Sequence, residues 1–456
     1  MIRRREISFD RLLLAVVLLA YLAGQLLIGT YLPADGKLHF DTPADIDFLY
    51  YAGILNQMKV DFPPQNPAYG GVPLSQSFVQ YYPTMLVSLF TNPYLAMRVA
   101  NLLMLALLAL VLKRYFSPGW GLGLVIIGAG SVGFGLINSL GIDLVARGFN
   151  HFPFFIAAIV ALFERKRVWL RWGSLFLLGW FHSYLALLTL LYLGAVVIIE
   201  RFGRRAIIDC ALCAFGLASA SIITNGVADK AFYFPLVESF GFSLKDLWMH
   251  AVPAVVLCAL SRNGRLLTLC GIALVFGALF HYNPFFPIFM LYFAAALAAI
   301  ESFQRGGYRR ATATGAAILL LIGFLINGYG KYNPRQGYYL PHLDQAYAKA
   351  GEWLAANTPS RAVILAAPLL SDWSCRLMET RAVYLGFPPH VAHLGIDWRE
   401  RAQKTANYFS YPAVYIVETG YVVYGPNERK VFPSYGLKGD PVYRDEQVTI
   451  WKNPVR

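Results

Sequence analysis

The segment Asp41-Thr-Pro-Ala-Asp45-Ile-Asp47-Phe-Leu-Tyr50-Tyr51-Ala-Gly-Ile-Leu-Asn-Gln-Met58, continued by Phe62-Pro-Pro-Gln-Asn66-Pro-Ala-Tyr69-Gly-Gly-Val-Pro73, decides how this chain is read. It belongs to a connection, residues 33–83, between two long apolar stretches. Three carboxylates within seven residues stand out in a chain this apolar. A solvated loop that caps the next helix would account for them. A carboxylate group beside a membrane, in a connection too long for a plain linker, points instead to a reaction site. The apolar spacing of Ile46, Leu49, Tyr50, Gly53 and Ile54 predicts a helix from Asp45 to Met58, lying on a membrane surface with the carboxylates at its start. The prolines from Pro63 to Pro73, with Gly70 and Gly71, predict a rigid irregular segment folded over the mouth of a cavity.

The 456 residues are 57% hydrophobic and only 14% charged, a composition that belongs to polytopic membrane proteins. The 15% aromatic content suits belts at the two interfaces. A net charge of +13 could suggest nucleic acid, but the basic residues sit in short loops between apolar segments, which excludes that reading. Eleven spans are expected, near 12–32, 94–112, 119–140, 148–163, 168–182, 184–199, 206–224, 248–261, 266–281, 285–300 and 311–328. The first lacks a small-x-small cleavage site and is expected to stay as an anchor. Lys and Arg concentrate in alternate loops: Arg3 to Arg11, Lys113–Arg114, Arg165 to Arg171, Arg201 to Arg205, Arg262–Arg265 and Arg305 to Arg310. The positive-inside rule then predicts an inner (cytoplasmic) membrane protein with its N-terminus inside and its C-terminal part extracytoplasmic.

The expected architecture is a polytopic α-helical membrane part, residues 1–330, followed by a small α/β extracytoplasmic domain, residues 331–456. In the latter, His342–Asn357 and Asp397–Tyr408 read as helices, Ala362–Ala366 and Ala413–Val417 as strands, and Val442–Trp451 as a hairpin around Asp445-Glu446. It shows no glycine-rich phosphate loop and no Ser-His-Asp arrangement, so it is expected to cover the site or hold the acceptor. Cys210-x-x-Cys213 has metal-like spacing but lies in an apolar helix, where packing is the better reading, and no structural metal is expected.

Polar residues gather at the outer ends of the spans: Arg98, Arg147, His151, His182, His250 and His281, with His39 in the first loop. A single histidine at a helix end is usually an interfacial hydrogen-bonding residue; several on one side predict a polar cavity opening outward. A carboxylate loop, such a cavity and an external domain suit an enzyme whose substrate keeps its tail in the bilayer. The carboxylate would act as general base on an incoming hydroxyl, and a nearby cation such as Arg98 or Arg147 would hold a leaving phosphate. Arg98 could equally snorkel to headgroups.

The pattern Asp47-x-x-x-Tyr51-Ala52-x-Ile54-x-x-x-Met58 resembles the Asp-Glu-x-x-Tyr-Ala pattern in the aminoarabinose and protein-mannosyl branches of the GT-C superfamily of integral-membrane glycosyltransferases. The run Phe62 to Leu74, His182-Ser-Tyr184 and Ala350-Gly-Glu352-Trp353 to Pro359 resemble a further branch. The resemblance implies a GT-C-like fold and an inverting enzyme. Its donor would be a polyprenyl-phosphate-linked sugar and its acceptor a glycan, lipid or protein. Asp47 would be the catalytic carboxylate and Asp45 its companion. Asp41, Tyr50, Tyr51, Arg98, Arg147, His151, His182 and His281 would be the substrate-binding residues. The sequence departs from the pattern at Phe48, where a second acid is expected. Asp45-Ile-Asp47 has the spacing of an Asp-x-Asp pair, which leaves a divalent Mg²⁺ or Mn²⁺ open beside the expectation of no cofactor. The rival reading is a transporter or lipid flippase, but the chain has no halves that resemble each other and few mid-span charges.

Overall fold

The computed structural model describes residues 2–27, 46–74, 78–133, 140–223, 244–279, 285–331, 341–368, 373–386, 388, 391, 396–411, 414–415, 417–433 and 439–453. Each of the eleven expected spans overlaps a helix among the described residues, the parts at 28–32, 134–139, 224 and 280–281 lying outside them. The helices are α1 (Ile2–Leu27), α4 (Pro93–Tyr115), α5 (Trp120–Gly133), α6 (Leu140–Phe163), α7 (Val168–Phe181), α8 (Ser183–Ile199), α9 (Arg204–Ile223), α10 (Leu244–Ser261), α11 (Gly264–Leu279), α12 (Phe285–Arg305) and α13 (Gly307–Lys331). Among the described residues, Pro93–Tyr115, Arg204–Ile223 and Ile288–Arg305 are each long and apolar enough to cross a membrane by length and composition. Large aliphatic side chains face outward, among them Leu19 on α1, Leu110 on α4, Ile222 on α9 and Leu319 on α13. In water such a surface would aggregate; against hydrocarbon it costs nothing.

Helix ends follow local chemistry. Asn92 caps α4, its side-chain oxygen accepting from the Leu95 amide at 2.9 Å, with Pro93 in the first turn. Lys113 and Arg114 occupy the last turn of α4, where cations complement the helix dipole. Between α7 and α8 a single extended residue, His182, breaks the run. Helices α7 and α9 cross in close contact at Gly179 and Gly216. A Cβ on Gly216 would overlap the carbonyl oxygen of Phe176, and one on Gly179 would come within 2.5 Å of the Leu217 amide nitrogen.

The basic loops meet at one end of the bundle. Asp10 accepts from the Gly119 and Gly121 amides at 3.0 Å each. Tyr115 and Arg114 reach Glu164 at 2.7 and 3.3 Å. Arg171 pairs with Asp209, Arg265 with Glu200, and Arg305 with Glu301.

The opposite end carries a second hydrophobic core, built jointly by the first connection and the C-terminal segment. Helix α2 (Ile46–Met58) is followed by a short helix α3 (Tyr82–Val87). The C-terminal segment contributes α14 (Pro341–Asn357), β1 (Val363–Leu365), β2 (Ala382–Val383), α15 (Arg399–Ser410), β3 (Tyr421–Tyr424), α16 (Pro426–Val431), β4 (Tyr443–Arg444) and β5 (Thr449–Lys452). The sheet order is β2-β1-β3-β5-β4, with β1 parallel to both its neighbours and the β3, β5 and β4 pairings antiparallel. The hairpin is closed by Asp445, whose carboxylate accepts from the Gln447 and Val448 amides at 2.8 and 2.6 Å. Glu428 is wholly enclosed, accepting from the Tyr347 hydroxyl at 2.7 Å and the Ala367 and Gly425 amides at 2.8 Å each; burial pushes its carboxyl above the ordinary range.

Two expectations are corrected. The third strand lies at Tyr421–Tyr424; of the expected Ala413–Val417, Ala413 and Ile416 lie outside the described residues, while the Val414 and Tyr415 amides donate to Tyr411 O in a turn after α15 and both side chains are exposed. Helix α2 does not lie on a surface. Phe48 to Leu55, Gln57 and Met58 are buried, Asn56 is half-buried, and Gly53 sits where a Cβ would strike the carbonyl oxygen of Met378. Asn56 donates to the Glu379 carbonyl at 2.6 Å. The helix is enclosed because its composition is apolar on every side.

The proline-rich stretch packs on the sheet rather than hanging free. The Gly70 amide donates to Val383 O at 2.7 Å, Val383 N to Pro67 O at 2.8 Å and Gly386 N to Ala68 O at 2.7 Å, so Pro67–Gly70 covers the β2 edge. The Arg401 guanidinium is sandwiched between the rings of Tyr69 and Tyr384, at 3.6 and 4.4 Å, and donates to Gly70 O at 2.8 Å.

Candidate active site

At the junction of the two cores, three elements bring polar side chains together. From α2 come Tyr50 and Tyr51, both buried, with ring centroids 6.2 Å apart. From the single turn at Val79–Tyr81 come Gln80 and Tyr81, the latter ring 5.6 Å from Tyr51. From α6 come Asn150 and His151. Gln80 Nε2 donates to Asn150 Oδ1 at 3.0 Å, and Asn150 Nδ2 donates to the Tyr51 hydroxyl at 3.4 Å. The amide of Asn150 thus ties α6 both to α2 and to the turn before α3.

The His182 break supplies the fourth group. Its Nδ1 accepts from the Leu185 amide at 3.4 Å, capping α8. In the neutral ring this puts the proton on Nε2, which becomes a donor. The His151 and His182 rings lie 5.8 Å apart, with Phe289 4.7 Å from His151 and Tyr184 6.5 Å from His182. Apolar walls and convergent phenol, amide and imidazole groups are the composition of a small-molecule site. The N-terminus of α8 beside His182 favours an anionic group.

Of the residues expected from sequence, Tyr50, Tyr51, His151 and His182 are gathered here, and Arg98 is half-buried on the second turn of α4. Asp41, Asp45 and His281 lie outside the described residues. Asp47 and Arg147 lie on α2 and α6, their side chains outside the described set. By helical register Asp47 stands four residues before Tyr51, on the same face. Among the described residues no three His, Cys, Asp or Glu side chains converge as metal ligands. Gln80, Tyr81 and Asn150 were not anticipated. Asn150 neighbours a histidine already flagged at a helix end, which is the one signal that could have found it.

No family model matches the chain, and no curated protein matches it. Among solved structures it is similar to the crystal structure of ArnT from Cupriavidus metallidurans in the apo state, with 11% identity, 98% of each chain covered and a TM-score of 0.48. The structure of the same protein bound to undecaprenyl phosphate is similar at 10% identity, again over 98% of each chain, with a TM-score of 0.48.

Proposed function

We propose that this chain is an integral-membrane glycosyltransferase that moves a sugar from a polyprenyl-phosphate donor to the hydroxyl of a glycan, lipid or protein acceptor at the extracytoplasmic face. The observation that supports the reading is the enclosure of α2, the helix of Asp47, between the bundle and the C-terminal sheet, with Tyr51 held by Asn150 beside His151 and His182.

In the proposed reaction Asp47 takes the proton of the acceptor hydroxyl. The acceptor oxygen attacks the anomeric carbon from the face opposite the phosphate, the bond from that carbon to the phosphate oxygen breaks, and polyprenyl phosphate leaves with its electron pair, inverting the centre. Asp45 and Asp41 orient the acceptor. Arg98, Arg147 and His281, with the Nε2–H of His182, receive the phosphate charge as it develops. Tyr50, Tyr51 and His151 shape the sugar pocket. The step needs no metal. Incubating the purified protein with a panel of polyprenyl-phosphate sugars tests the reading: release of polyprenyl phosphate with a suitable acceptor supports it. Donor moved across the bilayer without release would support a flippase instead.

A further inference from the structure

The turn joining α8 to α9 has an unusual backbone for its side chains. The Phe202 amide donates to Val197 O at 2.8 Å and the Arg201 amide to Ile198 O at 3.0 Å, the paired bonds of a Schellman helix end. Arg201 and Phe202 both adopt left-handed φ, +50° and +63°. That region crowds Cβ against the carbonyl oxygen, so glycine normally takes it and a bulky residue there is an outlier. The chain itself supplies the contrast. At the end of α12, on the same face of the bundle, the two left-handed positions are Gly306 and Gly307, with φ of +76° and +59°. The end of α10 again places an arginine, Arg262, at φ +51°.

Side chains are therefore kept at positions 201 and 202 against a local conformational cost. A cation at a helix C-terminus complements the dipole, which accounts for Arg201 but not for Phe202. Phe202 is 68% exposed, beside the exposed Ile198 and Ile199. Around it the charge is one-sided. Arg201, Arg204, Arg205 and Arg262 are exposed and none is in an ion pair among the described residues, while Glu200, on the same turn, is engaged by Arg265. Apolar side chains level with unpaired guanidinium groups match the boundary where acyl chains meet anionic headgroups.

We propose that the α8–α9 turn is a binding site for an anionic glycerophospholipid, its phosphate held by Arg201, Arg204, Arg205 and Arg262 and its first acyl carbons packed on Phe202. This rests on the helices crossing a bilayer and is independent of the proposed chemistry. The test is native mass spectrometry of the full chain released from bilayer discs of phosphatidylcholine containing phosphatidylglycerol. The wild type should retain phosphatidylglycerol in preference to phosphatidylcholine, and millimolar inorganic phosphate should not displace it. The double variant Arg201→Gly/Phe202→Gly should retain about five- to tenfold less, with a Tm equal to or above the wild type, because glycine relieves both left-handed positions. Undiminished retention in that folded variant would overturn the proposal, as would displacement by free phosphate alone. The single variant Arg201→Lys, with charge kept, should keep most of the wild-type retention; failure to do so in a folded protein would equally count against a headgroup site.

Discussion

Asn150 carries more of the site than its side chain suggests, because one amide serves two elements at once. It accepts from Gln80 and donates to Tyr51, and Tyr51 shares a helical face with Asp47. Asn150→Leu removes both bonds without changing charge. Losing them is expected to cost about 1–3 kcal/mol of alignment, so turnover in a donor-dependent assay should fall by roughly one to two orders of magnitude, with donor KM little changed. Asn150→Asp keeps the acceptor for Gln80 and should fall in between. Unchanged turnover in Asn150→Leu would remove Asn150 from the machinery. The histidines of the site were legible in the sequence because several sit at apolar segment ends, and Tyr50 and Tyr51 because of the Asp47-x-x-x-Tyr51-Ala52 pattern; Tyr81 was not. Asn150 and Gln80 were not: an amide declares its partner only once the fold has chosen which helices touch.

Helices were legible as elements because each needs a long apolar run, and those runs are separated by charged or glycine-bearing turns. Their packing was less so. The α7–α9 crossing rests on two glycines whose backbones touch partner backbone atoms, where no flexible side chain can give way. Gly216→Ala should therefore cost about 1–3 kcal/mol by overpacking, read as a lower Tm in detergent, whereas Gly194→Ala on α8, with open space around it, should be neutral or stabilising. Equal Tm values for the two would contradict the crossing. A strand was expected at Ala413–Val417 and one is found at Tyr421–Tyr424: both runs are rich in β-branched and aromatic residues, periodicity cannot choose between them, and the Val414 and Tyr415 amides turn back to Tyr411 O. Helix α2 was read as lying on a surface from the spacing of part of its apolar residues, yet Phe48, Tyr51 and Leu55 leave it no broad polar face to turn to water.

The described residues form two cores, a helical bundle whose described basic loops gather at one end and a cap at the other shared by the first connection and the C-terminal segment. Sharing makes the cap indispensable. Removing everything from Pro341 onward strips Met378, Val383 and Tyr384 from around α2 and Pro67–Gly70. The truncated chain should lose transfer even to a small acceptor, and trypsin should cleave faster after the exposed Lys59, because Asn56 loses its bond to the Glu379 carbonyl and Asp61 its ion pair with Arg361. Retained transfer would mean the cap is dispensable. The central claim is that α2 presents a general base to the polar end of the bundle. Its most direct test is single-turnover sugar transfer by Asp47→Asn in bilayer discs, with donor binding measured in parallel. Donor affinity near wild type with a rate lower by roughly 10²- to 10⁴-fold is the predicted result; wild-type turnover by Asp47→Asn would contradict the account.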